Sequence, residues 1–371
     1  VLTPVHPMYF NYRQSAAADE APGRFTLNTI ENIYDFNPDP PTLTPEQRRH
    51  ILGVQANLWT EYVITSNRVD WMLYPRTAAL AEIAWSTSEN RDWSSFLSRL
   101  VDEMRRYQDL GIHFDPAAFR VRFEEALTLG QRHVVVSLAN QTGFGIVRYT
   151  TDGSIVTASS PVYGKPLTLA LPTRLRTAVF GDGEIPGSNV DRDLNELSVR
   201  RRYSQQMKLC ADDPAIAMEP DPPQQNSPVV LANYFQPCWI YRDAELTGIG
   251  KIAAGVLPLP YVFRDSNTKL PPLGRPLTPN GNLNIHLDTC SGRVVASLPF
   301  PSAENHPGIT PLQTSFPAIQ GKHDLCVNIT RPQLNPLWVV DWIQLVPNTT
   351  YNLEPREQLD RTVVSTELGA K

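Results

Sequence analysis

No apolar run in this 371-residue chain reaches the eighteen or so residues that would span a bilayer. The first residues, VLTPVHPMYF, lack a charged segment followed by an apolar stretch, so they do not read as a signal peptide. They also lack an initiating Met and begin on a strand-like run, as a piece of a longer protein would. A missing signal therefore says little about location. Charge of one sign is not in excess: the net charge is −5 and the pI near 5.8, which gives no reason to expect nucleic acid or an anionic membrane as partner. Cysteine is scarce. Cys210, Cys238, Cys290 and Cys326 all follow residue 205, with no CxxC pair and no His at ligand spacing from two of them. A zinc site is not expected on that spacing, and no other metal or organic cofactor is implied. One or two disulfides in an exported domain and buried free thiols both remain open, as do the three pairings of four cysteines.

What is present is an apolar fraction of 41%, enough for real cores, in a chain long enough for two or three domains. Proline is abundant at 34 residues against about one in twenty in ordinary proteins, so long helices are expected only where it is locally absent. From Val1 to about Pro116, apolar strand-like runs (Val1–Phe10, Ile51–Trp59) alternate with helical patterns at Thr26–Tyr34 and Pro45–His50. Two longer helices should follow. Asp70–Trp85 carries Trp71, Leu73, Tyr74, Ala78, Leu80, Ala81 and Ala84 along one stripe. Trp93–Leu110 carries Phe96, Leu97, Leu100, Val101, Met104 and Tyr107, with Gly111 as its stop. Strand, helix, strand, helix implies parallel strands with crossovers.

From about Ala118 to Tyr203 the pattern is short alternating strands with turn signals such as Thr151-Asp152-Gly153-Ser154, as in a small immunoglobulin-like or fibronectin-like sandwich. Asp212–Pro228 reads as a Pro-rich acidic connector or surface loop. A second β-rich segment, from about Val229 to Val346, ends in WVVDWIQLV, whose alternation puts Trp338, Val340 and Trp342 on one face and Asp341 on the other. Residues 351–371 are polar and aperiodic, as in a tail. The expected divisions are 1–117, 118–205, 206–350 and the tail 351–371. Asn140-Gln-Thr, Asn328-Ile-Thr and Asn348-Thr-Thr are glycosylation sequons, relevant only to a eukaryotic secretory pathway.

Three stretches carry chemistry together. Pro7-Met8-Tyr9-Phe10-Asn11-Tyr12 resembles the Tyr-Leu-Asp/Asn element that ends the seventh barrel strand of family 20 β-N-acetylhexosaminidases. Leu52-Gly53-Val54-Gln55-Ala56-Asn57-Leu58-Trp59-Thr60-Glu61-Tyr62 is similar to that family's Gly-x-Gln/Glu-Ala-x-Leu-Trp-x-Glu-Tyr element on strand eight. Tyr74-Pro75-Arg76 through Trp85-Ser86 resembles its Trp-Pro-Arg-x-x-Ala-x-Ala-Glu-x-x-Trp-Ser helix. The match covers roughly residues 1–116. The resemblance implies the end of a (β/α)8 catalytic barrel, whose active residues come from the carboxyl ends of strands. It also implies exo-hydrolysis of terminal β-linked N-acetylglucosamine or N-acetylgalactosamine, with the substrate's own 2-acetamido group as nucleophile and retention of configuration. By carry-over Tyr9 would polarise the acetamide carbonyl, Trp59 would wall the sugar face, and Glu61 would accept from the 4- or 6-hydroxyl. Asn11 stands where many members have Asp, which should make the pocket more tolerant of anionic substituents near the 6-position. Arg76 and Glu82 are expected to form a structural salt bridge or cap.

The family's general acid, the Glu of an adjacent Asp-Glu pair in a His-x-Gly-Gly-Asp-Glu context, has no counterpart here. Asp19-Glu20 and Asp102-Glu103 follow neither a strand nor a Gly pair and read as solvated surface charges. The chain by itself is expected to hydrolyse nothing. Ile146–Gly183 resembles the small β domain at the carboxyl end of chitobiases, and the closing segment from His323 to Trp342 looks like the end of a family-6-type carbohydrate-binding sandwich. Tyr234, Trp239 and Trp338 are then its candidate sugar platforms, although the placing of Trp338 and Trp342 on one strand face favours a core reading for both. The alternative to an enzyme is a non-catalytic carbohydrate-binding or scaffold protein with a vestigial barrel remnant. The partner implied in either case is a glycan or chitin oligosaccharide, in a periplasmic, extracellular or lysosome-like setting; the oligomeric state is left open.

Overall fold

The computed structural model describes residues 1–348 apart from 18–19, 25, 62, 64, 128–132, 212–214, 219–228, 234, 260–272, 307 and 332–335. The expected tail at 351–371 and the candidate platform Tyr234 lie outside the described residues.

Neither opening segment forms a continuous strand. Val5–Met8 (α1) is a single turn with non-helical angles at His6 and Pro7. Residues 1–10 and 51–59 instead meet at two parallel bridges, Leu2 with Val54 and Tyr9 with Asn57. The Leu2 amide donates to Gly53 O (2.8 Å), the Asn57 amide to Met8 O (2.8 Å), and the Phe10 amide to Asn57 O (2.7 Å). Pro4 and Pro7 have no N–H to give between these points, so a regular ladder cannot run through. Met8 and Phe10 are fully buried, whereas Val5 and Leu52 face outward. The parallel sense expected from the element order is retained at both bridges.

Helical starts follow their capping chemistry. Ile30–Tyr34 (α2) begins after Thr29, whose hydroxyl accepts from the Asn32 amide while the Asn32 side chain accepts from the Thr29 amide. Pro45–Arg48 (α3) repeats the device with Thr44 and Gln47, and has Pro45 at the first helical position. The single helix expected over 70–85 is two: Ser66–Leu73 (α4) and Arg76–Trp85 (α5). Pro75 forces Tyr74 into an extended conformation (φ −97°, ψ 140°), which ends α4 and starts the next helix in a new phase. The buried positions are therefore Met72, Arg76, Ala79 and Ile83, while Ala81, Ala84 and Trp85 face outward. Trp93–Asp109 (α6) matches expectation, with Asp92 as N-cap and Phe96, Leu97, Leu100, Val101, Met104 and Tyr107 all buried. Gly111 follows at φ 70°.

The next strands are β1 (Gly23–Arg24, between α1 and α2), then β2 (Arg122–Leu127), β3 (His133–Ala139), β4 (Ile146–Thr150), β5 (Leu167–Ala170), β6 (Thr173–Gly181), β7 (Gly183–Glu184) and β8 (Val190–Leu194). β2, β3 and β5 form one antiparallel sheet, and β4, β6, β7 and β8 another. The Asp152 carboxylate accepts from the Ser154 amide at 2.9 Å beside Gly153 at φ 79°, the turn its sequence demands. Val134, Val136 and Leu138 of β3 and Leu175 and Val179 of β6 share one core with Phe96, Leu97, Leu100 and Met104 of α6 and with Met8 and Phe10. This core gathers described residues from Met8 to Val199.

A second core gathers residues from Met207 to Leu345. Its strands are β9 (Arg201–Tyr203), β10 (Lys208–Leu209), β11 (Ala215–Met218), β12 (Val230–Asn233), β13 (Cys238–Glu245), β14 (Ile249–Leu259), β15 (Asn282–Leu287), β16 (Val294–Pro299), β17 (Thr310–Ser315), β18 (Lys322–Thr330) and β19 (Leu337–Pro347). One sheet runs β10-β13-β18-β15-β16 and another β17-β14-β19-β9. The acidic connector is not simply a linker: its Ala215–Met218 is a strand between β12 and β1, tying the last part of the chain to the first. In β19 the register against β14 shifts between Val340 and Trp342. One extra residue reverses the alternation, so Trp338 and Trp342 do not share a face. Trp338 stacks on Phe300 in the core at 4.6 Å, while Trp342 lies under the Arg201 guanidinium at 4.7 Å.

Candidate active site

Tyr9 and Trp59 come together where the two bridged segments end. Their ring centroids are 6.1 Å apart and tilted by 56°, and Tyr9 is bridged to Asn57, two residues before Trp59. The Asn28 side chain donates to Pro7 O (2.8 Å) and Tyr9 O (3.1 Å), clamping the backbone on both sides of Met8. Half of the Trp59 surface is exposed. Glu61 lies two residues on in a turn and is exposed. Asn11 differs. Its side chain is fully buried and neither its oxygen nor its nitrogen has a hydrogen-bond partner, an uncompensated polar burial of the kind that clusters at functional sites. Gly23 backs it: a β-carbon there would sit 2.8 Å from Asn11 O, so only glycine lets β1 approach.

Beneath this surface lies a set of buried charges that sequence reasoning missed. Arg76 is 0% exposed, and its guanidinium donates to Phe10 O (2.6 Å), Tyr12 O (3.0 Å), Asn28 O (3.2 Å) and Met72 O. It also stacks over the Phe10 ring at 4.6 Å. Burial lowers its pKa to about 10, against the opposing pull of Glu20 and Asp115. It makes no salt bridge with Glu82, whose carboxylate instead takes two hydrogen bonds from Arg99 (2.7 and 3.0 Å). One guanidinium thus fastens both ends of the Phe10–Tyr12 segment to α4 and to the Asn28 loop.

Glu20 is not a solvated surface charge. It is 2% exposed and accepts from the Ser15 amide (2.7 Å), the Ser15 hydroxyl (2.8 Å), the Ala21 amide (2.9 Å) and the Trp71 indole (3.3 Å). Its sequence neighbour Asp19 lies outside the described residues. Asp102 and Glu103 are surface residues paired with Arg105 and Arg106 one turn on. Asp115, also buried, accepts from the Ala117 amide at 2.8 Å; burial first, then the Glu20 charge, raises its pKa well above the ordinary 3.8. Arg13, buried beside them, has its pKa lowered by desolvation.

The raised Asp115 pKa fixes a sign. Between 3.8 and the higher folded value the native state holds more protons than the unfolded chain, so stability falls as pH rises through that window. Asp115→Asn keeps an acceptor for the Ala117 amide and removes the charge facing Glu20. It should raise the melting temperature at neutral pH and flatten the decline above pH 4. An unchanged melting temperature at both ends of the range, followed by circular dichroism, would show that Asp115 does not titrate in the fold.

The proposed sugar platforms of the last unit are corrected by burial. Trp239 is 0% exposed with its indole N–H donated to Leu231 O at 2.7 Å, and Trp338 is 3% exposed. Both are core residues, and neither offers a ring face to solvent. Of the sequons, Asn140 is buried with its amide donated to Phe144 O, and only Asn348 is exposed.

Residues 1–88 match the catalytic domain of glycosyl hydrolase family 20, and residues 129–190 match the chitobiase/beta-hexosaminidase C-terminal domain. The chain carries a fragment of a family 20 catalytic domain. A beta-hexosaminidase of Porphyromonas gingivalis is 40% identical over 85 residues, covering 23% of this chain and 11% of that protein. A beta-N-acetylhexosaminidase of Cellulomonas fimi is 32% identical over 87 residues, 23% of this chain and 17% of that one. The chain thus spans between a tenth and a fifth of these relatives' length. A family 6 carbohydrate-binding module from Clostridium cellulolyticum, solved with xylose, is similar at 14% identity and a TM-score of 0.24, over 39% of this chain and 95% of that one. The family 20 fragment is followed by a β-rich C-terminal part. The signal for Tyr9, Trp59 and Glu61 lay in contiguous motifs. For Arg76 the motif named the residue but not its partners, which are backbone carbonyls from three separate segments.

Proposed function

We propose that this chain supplies part of the substrate pocket of a β-N-acetylhexosaminidase, a retaining exo-glycosidase that removes terminal β-linked N-acetylglucosamine or N-acetylgalactosamine from glycans or chitin oligosaccharides. The observation that carries this reading is the Tyr9–Trp59 pair at the ends of two parallel-bridged segments. Those segments are read as strands seven and eight of a (β/α)8 barrel, the position from which such barrels present catalytic groups. The two β units that follow, 118–205 and 206–350, are read as sandwiches packed behind it.

In this reading the acetamide oxygen of the substrate attacks its own anomeric carbon, and the Tyr9 hydroxyl donates to that oxygen, orienting it and stabilising the charge pattern of the transition state. The exposed face of Trp59 packs on the apolar C–H face of the sugar. The Glu61 carboxylate accepts from the 4- or 6-hydroxyl. Asn11, buried behind the site and neutral where many family members carry Asp, removes a negative charge from beneath the pocket and so leaves it tolerant of an anionic 6-substituent. Protonation of the leaving oxygen falls to an Asp-Glu pair outside these 371 residues. An exported location suits the two disulfides, Cys210–Cys238 and Cys290–Cys326. No described helix is long and apolar enough to cross a membrane.

The test is hydrolysis of a chromogenic β-N-acetylglucosaminide by a longer protein in which this chain is joined to the rest of a family 20 barrel, set against the 371 residues alone. Activity confined to the longer protein is expected. Inactivity of both would favour a non-catalytic carbohydrate-binding or scaffold protein.

A further inference from the structure

The four cysteines converge on one face of the β10-β13-β18-β15 sheet. Cys238 pairs with Asn328 and Cys326 with Ile240, so the two lie diagonally on neighbouring strands and point to the same side. Cys210 follows β10, its amide donating to Cys238 O, and Cys290 sits in the turn between β15 and β16. Two disulfides, Cys210–Cys238 and Cys290–Cys326, join them. Two disulfides require only that each pair meet. Here the pairs also meet each other: Cys238 is 3.5 Å from Cys326 and 3.7 Å from Cys290, Cys210 is 3.6 Å from Cys290, and all four sulfurs lie within 4.8 Å of one another.

A zinc ion held by four thiolates at about 2.3 Å spaces its sulfurs about 3.8 Å apart. Three of the four sulfur pairs that cross between the disulfides are already near that value, and the fourth, Cys210 with Cys326, lies within 4.8 Å. Only the two bonded separations must open, and each has one partner able to shift, because Cys210 and Cys290 are exposed at a strand end and a turn while Cys238 and Cys326 stay buried. From these distances we propose that the reduced chain binds one zinc ion through Cys210, Cys238, Cys290 and Cys326, so that one sulfur cluster has two states: two disulfides under oxidising conditions and a closed tetrathiolate site under reducing ones. Reduction gives each disulfide two electrons and two protons, with one phosphine per disulfide taking up the oxygen of a water to become its oxide. Zinc then displaces the four thiol protons.

The experiment reduces the full chain with a water-soluble phosphine under nitrogen and titrates it with cobalt(II), then with zinc. One equivalent of cobalt should give the intense visible absorption of a tetrahedral thiolate site, zinc should bleach it, and zinc should raise the melting temperature of the reduced chain. Cys210→Ser and Cys290→Ser, at exposed positions that leave the core intact, should each weaken cobalt binding by roughly a hundredfold or more. Absence of the tetrahedral spectrum, a spectrum unchanged in both variants, or a melting temperature indifferent to zinc would overturn the proposal.

Discussion

Tyr9→Phe, placed in the longer protein that hydrolyses the chromogenic substrate, should lower kcat at least about a hundredfold with little change in KM. Removing a single preorganised donor to developing charge costs about 2.7–4 kcal/mol at the transition state, which corresponds to roughly 10²–10³ in rate. The substitution deletes one oxygen and keeps the ring that packs at 6.1 Å from Trp59, so the backbone clamp by Asn28 at Tyr9 O should persist. A loss in kcat without a loss in binding separates an effect on the reacting acetamide from a merely weakened pocket. If the variant keeps the parent kcat, Tyr9 does not act on the acetamide and the assignment of the site fails.

Arg76→Ala should be the most damaging single change to stability, about 3–5 kcal/mol, because it removes one partner from a buried charged network. Carbonyls of Phe10, Tyr12, Asn28 and Met72 would lose their donor together, and Glu20 and Asp115 would lose a neighbouring positive charge. Arg76→Lys should recover little, since an ammonium cannot reproduce a planar fork serving carbonyls from three directions. Urea denaturation of the full chain, read by circular dichroism, measures both. A cost for Arg76→Ala below about 1 kcal/mol would place the residue among ordinary surface contacts and remove its role in holding the Tyr9 segment.

These two residues also mark how far reading the chain reached. Tyr9, Trp59 and Glu61 could be proposed from the sequence because they sit in contiguous motifs whose order and spacing are specific, and the structure brings the Tyr9 and Trp59 rings together. Arg76 stands inside an equally legible motif, yet its expected partner Glu82 was wrong. The guanidinium turns inward to carbonyls 48 to 66 residues away, and nothing in local spacing reports which backbone will be there. Glu20 misled for the same reason. A carboxylate in a polar loop is usually solvated, but here Ser15, Ala21 and Trp71 supply four donors that make burial tolerable.

The sequence alone determined what depends on neighbours a few residues apart. The α6 stripe, the Thr29 and Thr44 caps, the Asp152–Ser154 turn and the β alternation after residue 118 are all set by side-chain period and local hydrogen bonding. Tertiary structure decided everything that depends on which distant segments meet. It buried Trp239 and Trp338 instead of presenting them to a sugar, and it put Trp342 on the opposite face through one extra residue in β19. It also brought together four cysteines separated by 28 to 116 residues, which no ligand spacing along the chain could reveal. Periodicity says which face of an element is apolar, but the packing of whole sheets chooses what that face touches.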